Sequence, residues 1–306
     1  MDNQNKNLIL ATALSLVVII VWSLFFASPP PTQTPTDATT TAATDTTVTT
    51  APAVPDAGTP VGETDTTASA EDLSAAPRVP IATDNFAGSI SLLGGRIDDL
   101  SLTRYRETIE PDSAKVQLLQ PVGQADAYFA LFGWTATDGV AADAVPGPDT
   151  LWSLESGDTL TPTTPVTLAW NNGAGLTFRT EISVDDKFMF SFAQSVENAT
   201  GTPVALRPYG LIRRHGEPSN LRKFFILHEG LVRMSDGTLD ETKYKAIAKY
   251  DLDPREGTPA ARVDVSTSGW IGYTDHYWMT TLIPTQGAPF RCRNTIPRVT
   301  FIRPRR

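Results

Sequence analysis

The side chains able to do chemistry are few and scattered. Three histidines, His215, His228 and His276, occur in 306 residues, and no two stand at a spacing that suits a shared metal ion. His215 precedes Gly216 and Glu217, which would allow an acid–base pair, but Arg213-Arg214-His215-Gly216 reads equally as a strand end entering a loop. His276 stands between Asp275 and Tyr277, close in sequence to Trp270, Tyr273 and Trp278. Such a group could stack against a sugar ring, yet aromatics at strand spacing more often fill a core. Gly94-Gly95-Arg96 lacks the Lys-Ser/Thr that completes a phosphate-binding loop and reads as a turn, as does the glycosylation-like Asn198-Ala199-Thr200. Neither a GxSxG nucleophile elbow nor an HExxH helix occurs. Hence no catalytic, cofactor-binding or metal-binding residue is expected, no cofactor is implied, and the chain does not read as an enzyme.

Charge and cysteine content narrow the classes further. The single cysteine, Cys292, permits neither a disulfide framework nor a cysteine-based zinc or redox motif. A formal net charge of -9 argues against nucleic acid as a partner, since binding phosphates requires clustered Lys and Arg.

The elements that would position any site begin with an anchor. Residues 8–27, LILATALSLVVIIVWSLFFA, form an uncharged run, and about 20 such residues span roughly 30 Å as a helix, one bilayer crossing. A cleaved signal peptide has a shorter apolar core and a small-residue exit, whereas Trp22, Phe25 and Phe26 crowd this one. The amino terminus and Lys6 precede the run, and no Lys or Arg follows it before Arg78, so residues 1–7 are expected in the cytoplasm and the remainder outside it. Residues 28–80 are rich in Thr, Ala and Pro and lack apolar periodicity. They read as a disordered linker, with a reach on the order of 40 Å. A glycosylated stalk is the other reading of that composition.

From residue 81 to residue 290 the pattern is short apolar runs of period two, which indicates strands. Ile90 and Leu92 lead into Gly94-Gly95, and Ile97, Leu100 and Leu102 follow, a hairpin with one irregularity in its alternation. Leu176, Phe178, Ile182 and Val184 alternate with Thr177, Arg179, Glu181 and Ser183; after a turn at Asp185-Asp186-Lys187, Phe188, Phe190, Phe192 and Val196 alternate with Ser191, Ala193 and Ser195. Val166, Leu168 and Trp170 precede them across Asn171-Asn172-Gly173, giving consecutive antiparallel strands. Further strands are expected over residues 204–212, 224–234, 263–267, 270–274 and 277–283. One helix is expected to start near Asp240 or Thr242, with Tyr244, Ile247 and Ala248 on one side. The fold class is mainly all-β, a large two-sheet antiparallel sandwich with one or two short helices.

The amino-terminal run Met1-Asp2-Asn3-Gln4-Asn5-Lys6-Asn7-Leu8-Ile9-Leu10 resembles the start of the YidC family of bacterial membrane protein insertases (the Oxa/YidC/Alb group). So does the later stretch Ser268-Gly269-Trp270-Ile271-Gly272-Tyr273-Thr274-Asp275-His276-Tyr277-Trp278 followed by Leu282-Ile283-Pro284. The resemblance implies an inner-membrane protein with a periplasmic β-super-sandwich domain. It would assist insertion, folding and assembly of inner-membrane proteins, dependent on Sec or independent of it. Its implied partners are nascent inner-membrane proteins, the Sec translocon with its accessory components, and the lipid bilayer. In that family five further membrane helices form a hydrophilic groove, for which no second apolar run exists here. Residues 291–306, RCRNTIPRVTFIRPRR, hold six arginines and no acidic residue. They read as a basic tail foreign to the family, from a shifted or shortened reading frame, with a natural basic tail as the alternative. The chain is thus expected to be a truncated form lacking the groove. A reading from another class is an anchored periplasmic carbohydrate-binding or galactose mutarotase-like protein, because super-sandwich folds recur there. A third is an anchored interaction module.

Overall fold

The computed structural model describes residues 68–137, 140–218, 221, 228–254, 258–295 and 298–302. The expected cytoplasmic stretch, the membrane span and linker residues 28–67 lie outside them. Among the described residues no helix is long and apolar enough to cross a membrane.

The described chain runs as helix α1 (Ala70–Ala75), β1 (Arg78–Ala82), β2 (Phe86–Ser91), β3 (Arg96–Arg106), β4 (Lys115–Leu119), β5 (Tyr128–Ala136), β6 (Ser153–Ser156), β7 (Val166–Asn171), β8 (Leu176–Val184), β9 (Phe190–Asn198) and β10 (Leu206–Arg214). It continues as β11 (Gly230–Ser235), β12 (Thr238–Lys243), the one-turn helix α2 (Tyr244–Ile247), β13 (Leu252–Asp253), β14 (Thr258–Val265), β15 (Gly269–Thr274), β16 (Met279–Leu282), β17 (Phe290–Thr295) and β18 (Arg298–Ile302). Ten strands form one large sheet in the order β1-β2-β3-β5-β10-β18-β17-β14-β13, with β4 on β3. Two four-stranded sheets, β6-β7-β8-β9 and β12-β11-β15-β16, complete the fold. The mainly β sandwich class holds, but the second layer is split into two sheets rather than the one expected.

Strands β7 to β9 follow the alternation of their sequence. In β8, Leu176, Phe178, Thr180, Ile182 and Val184 are buried, while the intervening residues are half-buried or exposed. Phe178, fully buried, meets Trp134 of β5 at 5.1 Å and Trp170 of β7 at 5.7 Å between ring centroids. Phe192 of β9 stacks on Phe132 of β5 at 3.7 Å, and Gln194 Nε2 donates to the Gly133 carbonyl at 2.9 Å. This small sheet therefore lies on the face of the large sheet that β5 presents through Tyr128, Ala130, Phe132 and Trp134. The irregularity read between Ile90 and Leu102 is a register shift in the β2–β3 pairing at Ser89/Ile90.

Strand β5 was not expected. Both of its faces are largely buried, so it shows no alternation of apolar and polar residues. Phe129 and Leu131 join Tyr209 and Leu211 of β10 and Val122 in a second apolar cluster on the opposite face of the large sheet.

Three boundaries need correction. Residues 68–80 are not all linker: Ser69 Oγ accepts from the Asp72 N–H at 3.1 Å and the Asp72 carboxylate accepts from the Ser69 N–H at 3.1 Å, a capping box that starts α1. Leu73 of α1 packs on the second apolar cluster. The helix expected near residue 240 is shortened to one turn, because residues 238–243 pair with β11 instead; Tyr244 and Ile247 are buried as expected. Of the expected tail, residues 291–306, the described residues 291–295 and 298–302 are not an appendage. β17 pairs with β14 and with β18, which pairs with β10, so the segment lies inside the large sheet. Arg291 bonds Asp264 across the strands (Nε to Oδ1, 2.6 Å) while Cys292 is fully buried. All of β17 but Arg291 is buried, Arg293 and Asn294 included, so the arginine content disguises a central strand.

The β11–β12 turn carries a second unanticipated feature. Asp236 has φ 47° and Gly237 φ 88°, the positive-φ pair that a tight hairpin requires. The Asp236 carboxylate accepts the backbone N–H groups of Ser266, Thr267 and Ser268 at 2.7–3.1 Å. These bonds hold its pKa well below the usual carboxylate range.

Two outcomes follow for stability. Phe178→Ala is expected to lower the unfolding free energy by about 3–5 kcal/mol in urea titration, whereas Thr177→Ala, on the wet face of the same strand, is expected to stay near the parent. Asp236→Ala is expected to be less stable than the parent at neutral pH. A carboxyl whose pKa falls on folding adds stability above its ordinary value of 3.8, and that stability is lost as pH falls below it. The difference between the two chains should therefore shrink through acid titration below about pH 4.

Candidate functional site

The split second layer leaves a cleft. The β6–β9 sheet covers the large sheet near β2 and β5, through the Phe86–Phe190 ring contact at 5.3 Å and the Phe132–Phe192 stack. The β11-β15-β16 side covers it near β5 and β10, where Tyr273 of β15 meets Tyr128 at 6.4 Å. Between them lies a cavity of about 770 Å³. Its floor is Ile97, Leu100, Ala130, Phe132 and Ile212 of the large sheet; one wall is β9 with the preceding Phe188 and Met189, and the other is β16 with Ile283 and Pro284. Phe188, Met189, Met279 and Ile283 are exposed at its rim. Among the described lining residues none carries an ionisable side chain; Ser191, Gln194, Thr280, Thr281 and Thr285 supply the polar atoms.

A buried polar centre fixes the β16 wall. Arg214, at the end of β10, lies 4.4 Å from the Tyr128 ring centroid and donates through Nη1 to Asp275 Oδ2 at 2.5 Å. Tyr244 of α2 donates its hydroxyl to Asp275 Oδ1 at 3.1 Å and stacks on Tyr273 at 5.8 Å. Burial works against the Arg214 charge, but Asp275 and the two tyrosines outweigh it, and the guanidinium pKa is raised. Burial pushes the Tyr128 and Tyr244 hydroxyls up, so both stay neutral. The β15–β16 hairpin is thereby tied to the large sheet through the pairing of the Asp275 carboxylate with the largely buried Arg214 charge.

The residues singled out from the sequence do not converge. His276 Nδ1 lies 2.5 Å from Glu229 Oε1, with both side chains largely buried, outside the cavity lining. His228 Nε2 is 2.9 Å from the Leu231 carbonyl oxygen, and His215 lies by the Phe129 ring on the far face of the large sheet. The aromatic group separates: Tyr273 is core, Trp270 lines the cavity, and Trp278 packs edge-on against Tyr105 at 4.8 Å. Gly94 and Gly95 both have positive φ, the turn expected, and Arg96 is buried with Nε and Nη2 on the Leu93 and Pro148 carbonyls. The cleft itself was not anticipated. Its one sequence signal is the run Phe188, Phe190, Phe192 on one face of the alternating segment.

Asp275→Ala would strand the Arg214 guanidinium. It is expected to cost about 3–5 kcal/mol in denaturant unfolding, the range for breaking a buried pair by removing one partner; a loss no larger than that of an exposed ion pair would contradict the anchoring role given to Asp275.

A family model described as the YidC periplasmic domain matches residues 78–302. The match runs through β17 and β18, so the resemblance does not end near residue 290 as expected. The membrane protein insertase YidC of Roseobacter denitrificans is 52% identical over 300 residues, covering 95% of this chain and 48% of that protein. That of Ruegeria pomeroyi is 51% identical over 297 residues, with 95% and 48% covered, and that of Cereibacter sphaeroides (strain ATCC 17029 / ATH 2.4.9) is 52% identical over 290, with 95% and 45%. The chain spans about half the length of the curated relatives it matches.

Proposed function

This chain belongs to the YidC family, and from that premise we propose that its protein assists the insertion, folding and assembly of integral inner-membrane proteins, with the Sec translocon or without it. The observation that carries the reading is the family match across residues 78–302. In this reading residues 8–27 cross the inner membrane once, residues 1–7 stay in the cytoplasm, and the described domain lies in the periplasm at the end of its linker. The charge asymmetry around residues 8–27 supports that orientation. Partners are nascent inner-membrane proteins, the Sec translocon with its accessory components, and the bilayer. The work is non-covalent: the apolar cleft receives an apolar stretch of a client while it is outside the lipid, and burial of that stretch supplies the affinity.

The carbohydrate reading would be favoured by an acid and a histidine on facing strands of a concave site. Here His276 and Glu229 bond each other, and the described cleft lining has no group to donate or abstract a proton.

The test is photocrosslinking in cells from a photoreactive residue placed at Phe192 or Met279 in the cleft, with Ser195 on the wet face of β9 as control. Crosslinks to nascent inner-membrane proteins from the cleft positions and not from Ser195 are expected. Equal yields from all three positions would count against the cleft as a client surface.

A further inference from the structure

The two walls of the cleft are strand edges, and the hydrogen-bond phase of β9 shows which of its groups are open. Asp185 N–H donates to the Met189 carbonyl at 2.9 Å, and Ala199 N–H donates to the Gly175 carbonyl at 2.8 Å. Antiparallel pairs alternate between bonded and non-bonded. The bonded pairs between these two ends are therefore Ser183–Ser191, Glu181–Ala193, Arg179–Ser195 and Thr177–Glu197. Phe190, Phe192, Gln194 and Val196 consequently aim their N–H and C=O groups away from β8. β9 is the last strand of its sheet, and no described strand pairs with that edge. Ser191 belongs to the cavity lining although its side chain stands on the wet face, so the edge itself forms the wall.

Several other edges in the fold are guarded against pairing with a stranger, and β16, the opposite wall of the cleft, is an open edge only four residues long. β1 carries Arg78 and Pro80, β12 carries Asp240, Glu241 and Lys243, and β13 is two residues long. β9, FSFAQSVEN, has no Lys, Arg or Pro, and its edge is recessed above an apolar floor. The lining matches an uncharged occupant: in a protein of net charge -9, no charged side chain among the described residues reaches the cavity, so a charged segment would be desolvated there without a partner.

We propose that the cleft binds an uncharged, apolar polypeptide segment in extended form, which adds as a fifth strand to the open edge of β9. Backbone pairing with Phe190, Phe192 and Gln194 makes recognition tolerant of sequence, while alternate side chains drop onto Leu100, Ala130 and Ile212. The opposite side chains meet the exposed rim of Met189, Met279 and Ile283. A helix satisfies its own backbone groups and has nothing to offer this edge. The inference rests on the reading of the cleft as a client surface and adds the conformation in which a client is held.

The test uses the full chain in detergent and a dye-labelled octapeptide of alternating Val and Thr, followed by fluorescence anisotropy. Two further peptides carry N-methyl groups on alternate amides, one in each phase. The parent peptide is expected to bind. One methylated phase should bind about tenfold more weakly, the loss of one or two net hydrogen bonds, while the other phase stays near the parent. In the protein, Phe192→Pro and Phe192→Ala both lose the ring, but only the first loses the outward N–H; the proline chain is expected to bind more weakly than the alanine chain. Equal binding of all three peptides, or displacement by a fatty acid with no dependence on methylation phase, would overturn strand addition and leave an apolar cleft. Failure of the parent peptide to bind would overturn the client surface itself.

Discussion

A ten-stranded sheet presents more apolar surface on one face than a four-stranded sheet can cover, and the fold answers with two small sheets side by side. Each is held by contacts of a different kind. The β6–β9 sheet is seated by rings: Phe192 on Phe132, and Phe178 against Trp134. The β15–β16 hairpin is seated by charge, through Arg214 and Asp275 between Tyr128 and Tyr244. Neither seat closes the seam between the sheets, and the cleft follows from that geometry. Its floor is apolar because it belongs to the same face that the flanking sheets bury.

The different seats have mechanical consequences. Stacked rings tolerate small lateral shifts, since dispersion and burial have little directional demand. A buried guanidinium bonded to a carboxylate fixes both position and orientation. The β16 wall is thus the more strictly located one, and β9 is the wall with freedom to admit another strand. Under the proposed function that division would suit clients of many different sequences, because backbone pairing asks for extension rather than for particular side chains.

Much of this was legible in the residues. The alternation in β8 and β9 gave their faces, the register shift in β2–β3 was visible as a break in period, and the motif around Trp270 and Asp275 pointed to the family. Other parts were hidden for physical reasons. β5 is buried on both faces and so loses the period-two pattern, and the capping box of Ser69 and Asp72 sits in a segment whose composition reads as linker. β17 is buried on both faces except at Arg291, which is paired to Asp264, and it buries Arg293 as well, so its charge count disguised a central strand. The cleft left only the run Phe188, Phe190, Phe192 as a trace in the sequence. Phe132, Phe192 and Met279 are far apart in the chain, and only the topology brings them to one seam.

The central claim, an open strand edge lining an apolar cleft, is tested most directly by amide hydrogen exchange along β9. The outward N–H groups of Phe190, Phe192 and Gln194 are expected to exchange fast while those of Ser191, Ala193 and Ser195, bonded to β8, exchange slowly, and an apolar peptide should slow the first set alone. Uniform slow exchange along the whole strand in the free protein would contradict it, since the edge would then already be paired.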